Sequence, residues 1–421
     1  MYDLTCSTVL PNGLRFVFIE QDNPVVEMGI FVRQGSRNEE PSESGVSHFL
    51  EHLVANTGRA ASRGKESVRD ILAAGGILNA HTTKEFTSYE GLALQESAPL
   101  LFQALYDLVF DPDVREEDVE TERSVILEEL HAKLRSSQQL VDHLAQGIYG
   151  NIGYGNWILG NEPFLKNVTL ETCLARYRTA YVADSTVVIV LAKKGAQYLN
   201  FLADLFGQVP SGRPSPVDVP LAEEIHLKVI PQKSRQTVVA LGSTGPSGRD
   251  EGAEVFDLAM AVWGSIPNAQ LFTSVREREG LAYHVQTFTT TFIQTGLWGI
   301  TAGISSENLD RFMDVVGEEI RRVRSEPFDR SEIARGVSVL KTHLYSRSTE
   351  SDFFMRLVGQ RAVFQELFFL NDLFRKFELV TEEAIMDAFD QYVRPERLSV
   401  VVIGDHDDEN VLAAMKRIGD V

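Results

Sequence analysis

The chain has 421 residues, 43% hydrophobic and 9% aromatic, which excludes a disordered chain and predicts two domains rather than one. A formal net charge of −20 without any basic block argues against nucleic acid and anionic membranes as partners. No apolar run reaches the ~18 residues of a membrane span. The start, MYDLTCSTVLPNG, lacks the basic-then-apolar pattern of a secretion signal, and Cys6 and Cys173 cannot build a disulfide framework, so a cytoplasmic location is expected.

In chain order, LRFVFIEQ (14–21) and VVEMGIFVRQG (25–35) are predicted strands, being apolar, β-branched and bounded by turn residues. Residues 44–57 are a predicted helix: Val46, Phe49, Leu50, Leu53 and Val54 fall on one apolar face. The opposite side of that helix carries His48 and His52 of HFLEH, one turn apart, with Glu51 in the same polar arc. Helical periodicity returns over 97–109 and 116–136, and STVVIVLAK (185–193) reads as a further strand. VPSGRPSPVDVP (209–220), rich in Pro, Ser and Gly, is the natural linker.

The second half repeats the first. FDPDVREEDVETERSVILEEL (110–130) aligns with EPFDRSEIARGVSVLKTHL (326–344) at an offset of 214 (344 − 130), so that Val119 meets Ile333, Ser124 meets Ser338 and Ile126 meets Leu340. YVADSTVVIVLAKK resembles YVRPERLSVVVIGD, GSRNEEPSESG resembles SGRDEGAE, and GILNAHTTKEFTSYEGLAL resembles GLAYHVQTFTTTFIQTGLW, all in the same order. The expected fold is therefore α+β: a tandem duplication of an α/β unit, each a mostly antiparallel sheet with helices packed on it. The expected domains are 1–210 and 218–421.

HFLEH reverses the familiar zinc-peptidase order HExxH but keeps its ligand spacing. Imidazoles at i and i+4 can reach one metal ion, and a neighbouring carboxylate can take a proton from a water activated by it. The competing reading is a solvated helix face that carries two histidines, so a third ligand is needed. On the 116–136 helix Glu122 and Glu129, seven residues apart, share a face bordering Val119, Ile126 and Leu130, whereas Glu128 points to water. At the offset of 214, Glu129 falls on His343 and Glu122 on Gly336, and the counterpart of HFLEHLV lies near FDLAMAV, which has no histidine. The second copy thus keeps the scaffold and lacks the metal set. GSTGPSG (242–248) is Gly-rich but lacks the GK[ST] of a phosphate loop and reads as a strand-to-helix turn. His131, His143, His226, His284 and His406 have no ligand-like spacing.

HFLEH, followed by GGILNAHTTKEFTSYE and by a glutamate 77 residues beyond His52 (129 − 52), resembles the pitrilysin/insulinase family of zinc peptidases, the inverzincins. Size and two-unit layout are similar to the bacterial members related to mitochondrial processing peptidase. The resemblance implies a zinc-dependent endopeptidase with one Zn2+ per chain, held by His48, His52 and Glu129. It implies Glu51 as the general base and Glu122 as a carboxylate positioning a ligand or water. Arg276 and Tyr283, at the family's seven-residue spacing in LFTSVREREGLAYHV, would hold the peptide and its developing oxyanion. Asn79, Ala80 and His81 would lie on a strand to which an extended peptide adds by main-chain hydrogen bonds. His81 departs from the aromatic or small residue usual there. Short or unfolded peptides cut inside a closed chamber are the implied substrates. A chain holding both the zinc set and the Arg/Tyr pair favours a homodimer, with a heterodimer as the alternative. The rival function is a catalytically silent assembly or substrate-presenting subunit.

Overall fold

The computed structural model describes residues 3–213, 215, 216, 218, 225–348, 350–366 and 370–420; of the expected linker, Pro214, Val217, Val219 and Pro220 lie outside the described residues. Strands β1 (Asp3–Val9), β2 (Arg15–Glu20), β3 (Val25–Val32), β4 (Ile77–Thr82), β5 (Thr87–Leu94) and β6 (Thr186–Ala192) form one sheet in the order β1-β2-β6-β3-β5-β4. Strands β7 (Leu227–Pro231), β8 (Gln236–Gly245), β9 (Ala282–Thr291), β10 (Gly296–Ser305) and β11 (Ser399–Gly404) form another in the order β7-β11-β8-β10-β9. With β1 set aside the two orders are the same, β2 matching β7 and β6 matching β11. Each sheet has one parallel pair, β2 with β6 and β7 with β11, and is otherwise antiparallel. The duplication and the mostly antiparallel sheets are as the sequence predicts.

The residue pattern explains the strand order. TVVIVLA in β6 and SVVVIG in β11 are buried at every position. Each has a strand on either side and is covered on both faces, which accounts for a continuous apolar run in place of alternation. β4 is an edge strand and alternates: Ile77, Asn79 and His81 are exposed while Thr82 is buried.

Six helices bear on the argument: α1 (Val46–Ala55), α2 (Glu116–Leu134), α3 (Gln139–Tyr149), α4 (Ala253–Met260), α5 (Arg330–Ser348) and α6 (Ser351–Ala362). Both ends of α5 lie 214 residues beyond those of α2 (330 − 116 and 348 − 134), the offset read from the sequence. The apolar face expected for α1 forms: Val46, Phe49, Leu50, Leu53 and Val54 are all buried, the last four in the core of the first sheet.

The chain forms two compact units, one of Met1–Ala132, Asn156–Val219 and Arg347–Phe369, the other of Lys133–Gly155, Pro220–Ser346 and Leu370–Val421. A division at 210/218 separates the two sequence repeats, while the compact units exchange one helix each. In the first unit α6 covers β3 and β6, and in the second α3 covers β8 and β11. Glycines let both helices lie close. A Cβ on Gly359 of α6 would stand 2.2 Å from the Phe31 ring, and one on Gly147 of α3 would stand 2.6 Å from the His226 ring.

Candidate metal centre

The site is built on α1, whose start is fixed by a carboxylate. Buried Glu39 accepts the amides of Gly45 (2.7 Å) and Ser47 (2.8 Å), the first donors of the helix, which have no partner inside it. Gly45 has φ 104°, and a Cβ there would meet Gly160 at 2.9 Å, so glycine is required. One turn on, His48 is 9% exposed, and the His48 and His52 rings lie 4.6 Å apart edge to face. The polar arc of α1 is therefore sunk against α2 and is not the solvated face of the competing reading.

The structure brings His48, His52 and Glu129 together. Glu129 Oε2 on α2 is 3.7 Å from His48 Nε2 and 3.8 Å from His52 Nε2, and one ligand atom from each residue falls within 4.8 Å of the others. Ligand atoms ~2.1 Å from one tetrahedral ion stand roughly 3.4 Å apart. The donor set, two imidazoles and a carboxylate, is a standard one for zinc, and a slight contraction would close it.

Glu122, two turns before Glu129, fixes the second imidazole. Its Oε2 lies 3.1 Å from His52 Nδ1, and its Oε1 accepts from Asn56 (3.1 Å) and Arg59 (2.8 Å). An Nδ1–H given to Glu122 leaves the Nε2 lone pair facing the cluster, the tautomer a metal ligand needs. Burial would raise the Glu122 carboxyl, but the bonds from His52 and Asn56 and the charges of His52 and Arg59 outweigh it and hold it below the usual range. Burial would likewise lower His52, but the Glu122 bond and the charges of Glu129 and Glu51 raise it. Three carboxylates crowd two imidazoles, with Arg59 the one guanidinium or ammonium paired with Glu122 among the described residues. That surplus of negative charge suits a divalent cation.

Glu51 shares the polar arc but turns to β4, where the Thr82 hydroxyl donates to its Oε2 at 2.7 Å. Burial raises the Glu51 carboxyl above the ordinary range against the pull of that hydroxyl. Thr82 sits one residue beyond Asn79-Ala80-His81 on the same edge strand, so the strand expected to bind peptide also steers the expected base. The open edge is blunted locally, since the Ala80 amide donates to its neighbour Asn79 Oδ1 at 2.9 Å. Although the residue as a whole is exposed, partial desolvation of the ring, with the Arg356 charge nearby, lowers the His81 imidazole below its ordinary pKa.

Arg276 and Tyr283 belong to the second unit, where the Arg276 guanidinium lies 5.5 Å from the Tyr283 ring. Tyr283, on the edge strand β9, is 84% exposed; a side chain serving the core of that unit would be covered. At the counterpart of Glu122 the second copy packs instead: a Cβ on Gly336 of α5 would meet Val262, just beyond the end of α4, at 2.5 Å.

Sequence reasoning missed Asn56, Arg59 and Thr82. Asn56 lies four residues and Arg59 seven beyond His52, in the ANTGR that follows HFLEHLV, which was an available signal. Thr82 was legible only as a buried polar position on an alternating strand.

No helix among the described residues is long and apolar enough to cross a membrane. Residues 15–162 match the family model described as Insulinase (Peptidase family M16), and residues 167–340 match Peptidase M16 inactive domain. An uncharacterized zinc protease of Streptomyces coelicolor is 28% identical, over 96% of this chain and 90% of its own. The mitochondrial-processing peptidase subunit beta of Homo sapiens is 24% identical, over 94% of this chain and 84% of its own. Among solved structures, a protease from Helicobacter pylori gives a TM-score of 0.84 at 18% identity, covering 96% of this chain and 99% of that one. The M16 inactive domain protein from Pseudomonas fluorescens gives 0.83 at 17%, covering 96% and 98%. With both family models matched in order, and with zinc proteases among its relatives, the chain belongs to the insulinase family of peptidases, family M16.

Proposed function

We propose that the chain is a zinc metalloendopeptidase acting on short or unfolded peptides. The observation that carries this is the convergence of His48, His52 and Glu129, with Glu122 setting the His52 tautomer and Glu51 beside them. His48, His52 and Glu129 would hold one zinc ion. Zinc, when bound, supplies Lewis acidity that polarises the scissile carbonyl and favours deprotonation of water.

The chain's own groups do the rest. Glu51 takes a proton from the attacking water and returns it to the departing amide nitrogen. Its raised pKa suits that shuttle, and the Thr82 hydroxyl keeps its carboxylate aimed. A peptide extended along the β4 edge exchanges main-chain hydrogen bonds with Asn79-Ala80-His81, a mode that reads the backbone and would tolerate varied sequences. Arg276 and Tyr283 are assigned to the carbonyl oxygen that gains charge. A second copy of the chain completes a substrate chamber, and the enzyme works in the cytoplasm; the intact zinc set and Arg/Tyr pair in one chain support the homodimer over a split heterodimer.

The test is zinc content and cleavage of a mixed unstructured peptide pool by His48→Ala beside wild type. Loss of both zinc and cleavage is expected. Unchanged metal content in the variant would remove His48 from the ligand set.

A further inference from the structure

A polar cavity of about 440 Å3 opens in the second unit, where the end of β8, the β9–β10 turn and the turn Pro395–Arg397 before β11 meet. It includes the GSTGPSG segment, which the peptidase reading leaves without a role. Arg394 and Arg397 both line it, and neither guanidinium makes an ion pair or side-chain hydrogen bond among the described residues. Elsewhere in this unit Arg311, Arg322, Arg324, Arg330 and Arg417 each meet a carboxylate, so these two are among the guanidinium groups left open to an external anion.

A second observation is independent of charge. Ser243 is only 6% exposed, borders the cavity, and its hydroxyl has no hydrogen-bond partner among the described residues. Thr244 beside it, half-buried, also borders the cavity with no side-chain hydrogen bond among the described residues. Both hydroxyls are therefore free to donate to an acceptor on a ligand in the cavity. The one lining carboxylate, Asp250, is engaged by the Ser247 amide at 2.8 Å and by the Tyr392 hydroxyl.

We propose that this cavity binds the phosphoryl group of a small phosphorylated molecule. Two planar guanidinium forks and two hydroxyls offer more donors than one carboxylate can accept, and they match the charge and three acceptor oxygens of a phosphate monoester. The volume exceeds that of phosphate alone and leaves room for the organic group it is attached to. The site uses no residue of the metal centre, so it stands or falls apart from the peptidase assignment.

Titration calorimetry on the intact chain at fixed ionic strength tests it, with inorganic phosphate and phenyl phosphate as probes and acetate and benzoate as carboxylate counterparts. Phenyl phosphate should bind more tightly than inorganic phosphate, and benzoate about tenfold or more weakly than phenyl phosphate. Arg394→Ala and Arg397→Ala should each weaken phenyl phosphate by about tenfold, the size of one lost charged hydrogen bond. Ser243→Ala, which keeps the charge and is the safer variant for folding, should weaken it about threefold, and Asp250→Asn should tighten it. Absence of phosphate binding to wild type overturns the proposal. So does binding unchanged in the arginine and serine variants, or benzoate binding as tightly as phenyl phosphate.

Discussion

Glu122 carries more of the site than its distance from the metal position suggests. It neutralises Arg59, caps the polar end of Asn56 and orients His52 through a single carboxylate. Glu122→Gln keeps the shape but loses the charge and the strong acceptor for Nδ1–H. Zinc affinity, measured by competition with a chelator, should fall by about 10–100-fold, the usual effect of removing a partner behind a metal-bound histidine. Thr82→Val should leave zinc content intact and lower kcat roughly tenfold, the weight of one aiming hydrogen bond, with Thr82→Ser restoring most of it. An equal loss in the serine variant would show that packing, not the hydroxyl, matters there. The two helix faces that bring His48, His52 and Glu129 together were legible in the sequence, because i, i+4 histidines and glutamates seven apart fix faces locally. Which groups Arg59 and Thr82 engage was not, because their partners lie on other elements, 63 and 31 residues away. A third residue reports on pH. Burial and the Lys228 ammonium, 2.8 Å from its Nδ1, push His143 down to about 4. Its neutral form is the folded one, so its contribution is present above the ordinary histidine pKa of ~6.5 and is lost as pH falls through about 4. The urea midpoint should drop between pH 7 and pH 5, and His143→Gln should shrink that drop.

At the scale of elements, the repeat is carried by strand order and by the matched ends of α2 and α5, both readable from the offset of 214 (330 − 116). The exchange of α3 and α6 was not readable. An amphipathic helix announces that it covers something apolar, and both sheets offer the same kind of face. What distinguishes the partners is contact detail: Gly359 against Phe31 and Gly29 against Met355 in the first unit, Gly147 against His226 in the second. Gly359→Ala tests this. Phe31 is fully buried, so its ring has little freedom to move aside. The overpacking should cost about 1–3 kcal/mol, read as a lower urea midpoint, with zinc content retained. An unchanged midpoint would mean that α6 does not lie on β3 as described.

For the whole molecule, each sheet has its own core, and neither core includes His48, His52 or Glu129. Metal removal should therefore leave the fold standing. Dialysis against a chelator should abolish cleavage and leave the circular dichroism spectrum unchanged, and stoichiometric zinc should restore turnover. Melting temperature should rise with added zinc, since a ligand that binds only the folded chain stabilises it. The purified chain should elute at the mass of a homodimer; a monomer that cleaves peptides would remove the second copy from the account.

The central claim is that Glu51 shuttles the proton at a zinc site built from His48, His52 and Glu129. The most direct measurement is hydrolysis of an unstructured peptide pool by zinc-loaded wild type and Glu51→Gln, with metal content determined in both. The account predicts one zinc per chain in each protein and cleavage by wild type alone. Equal cleavage by the two proteins would contradict it.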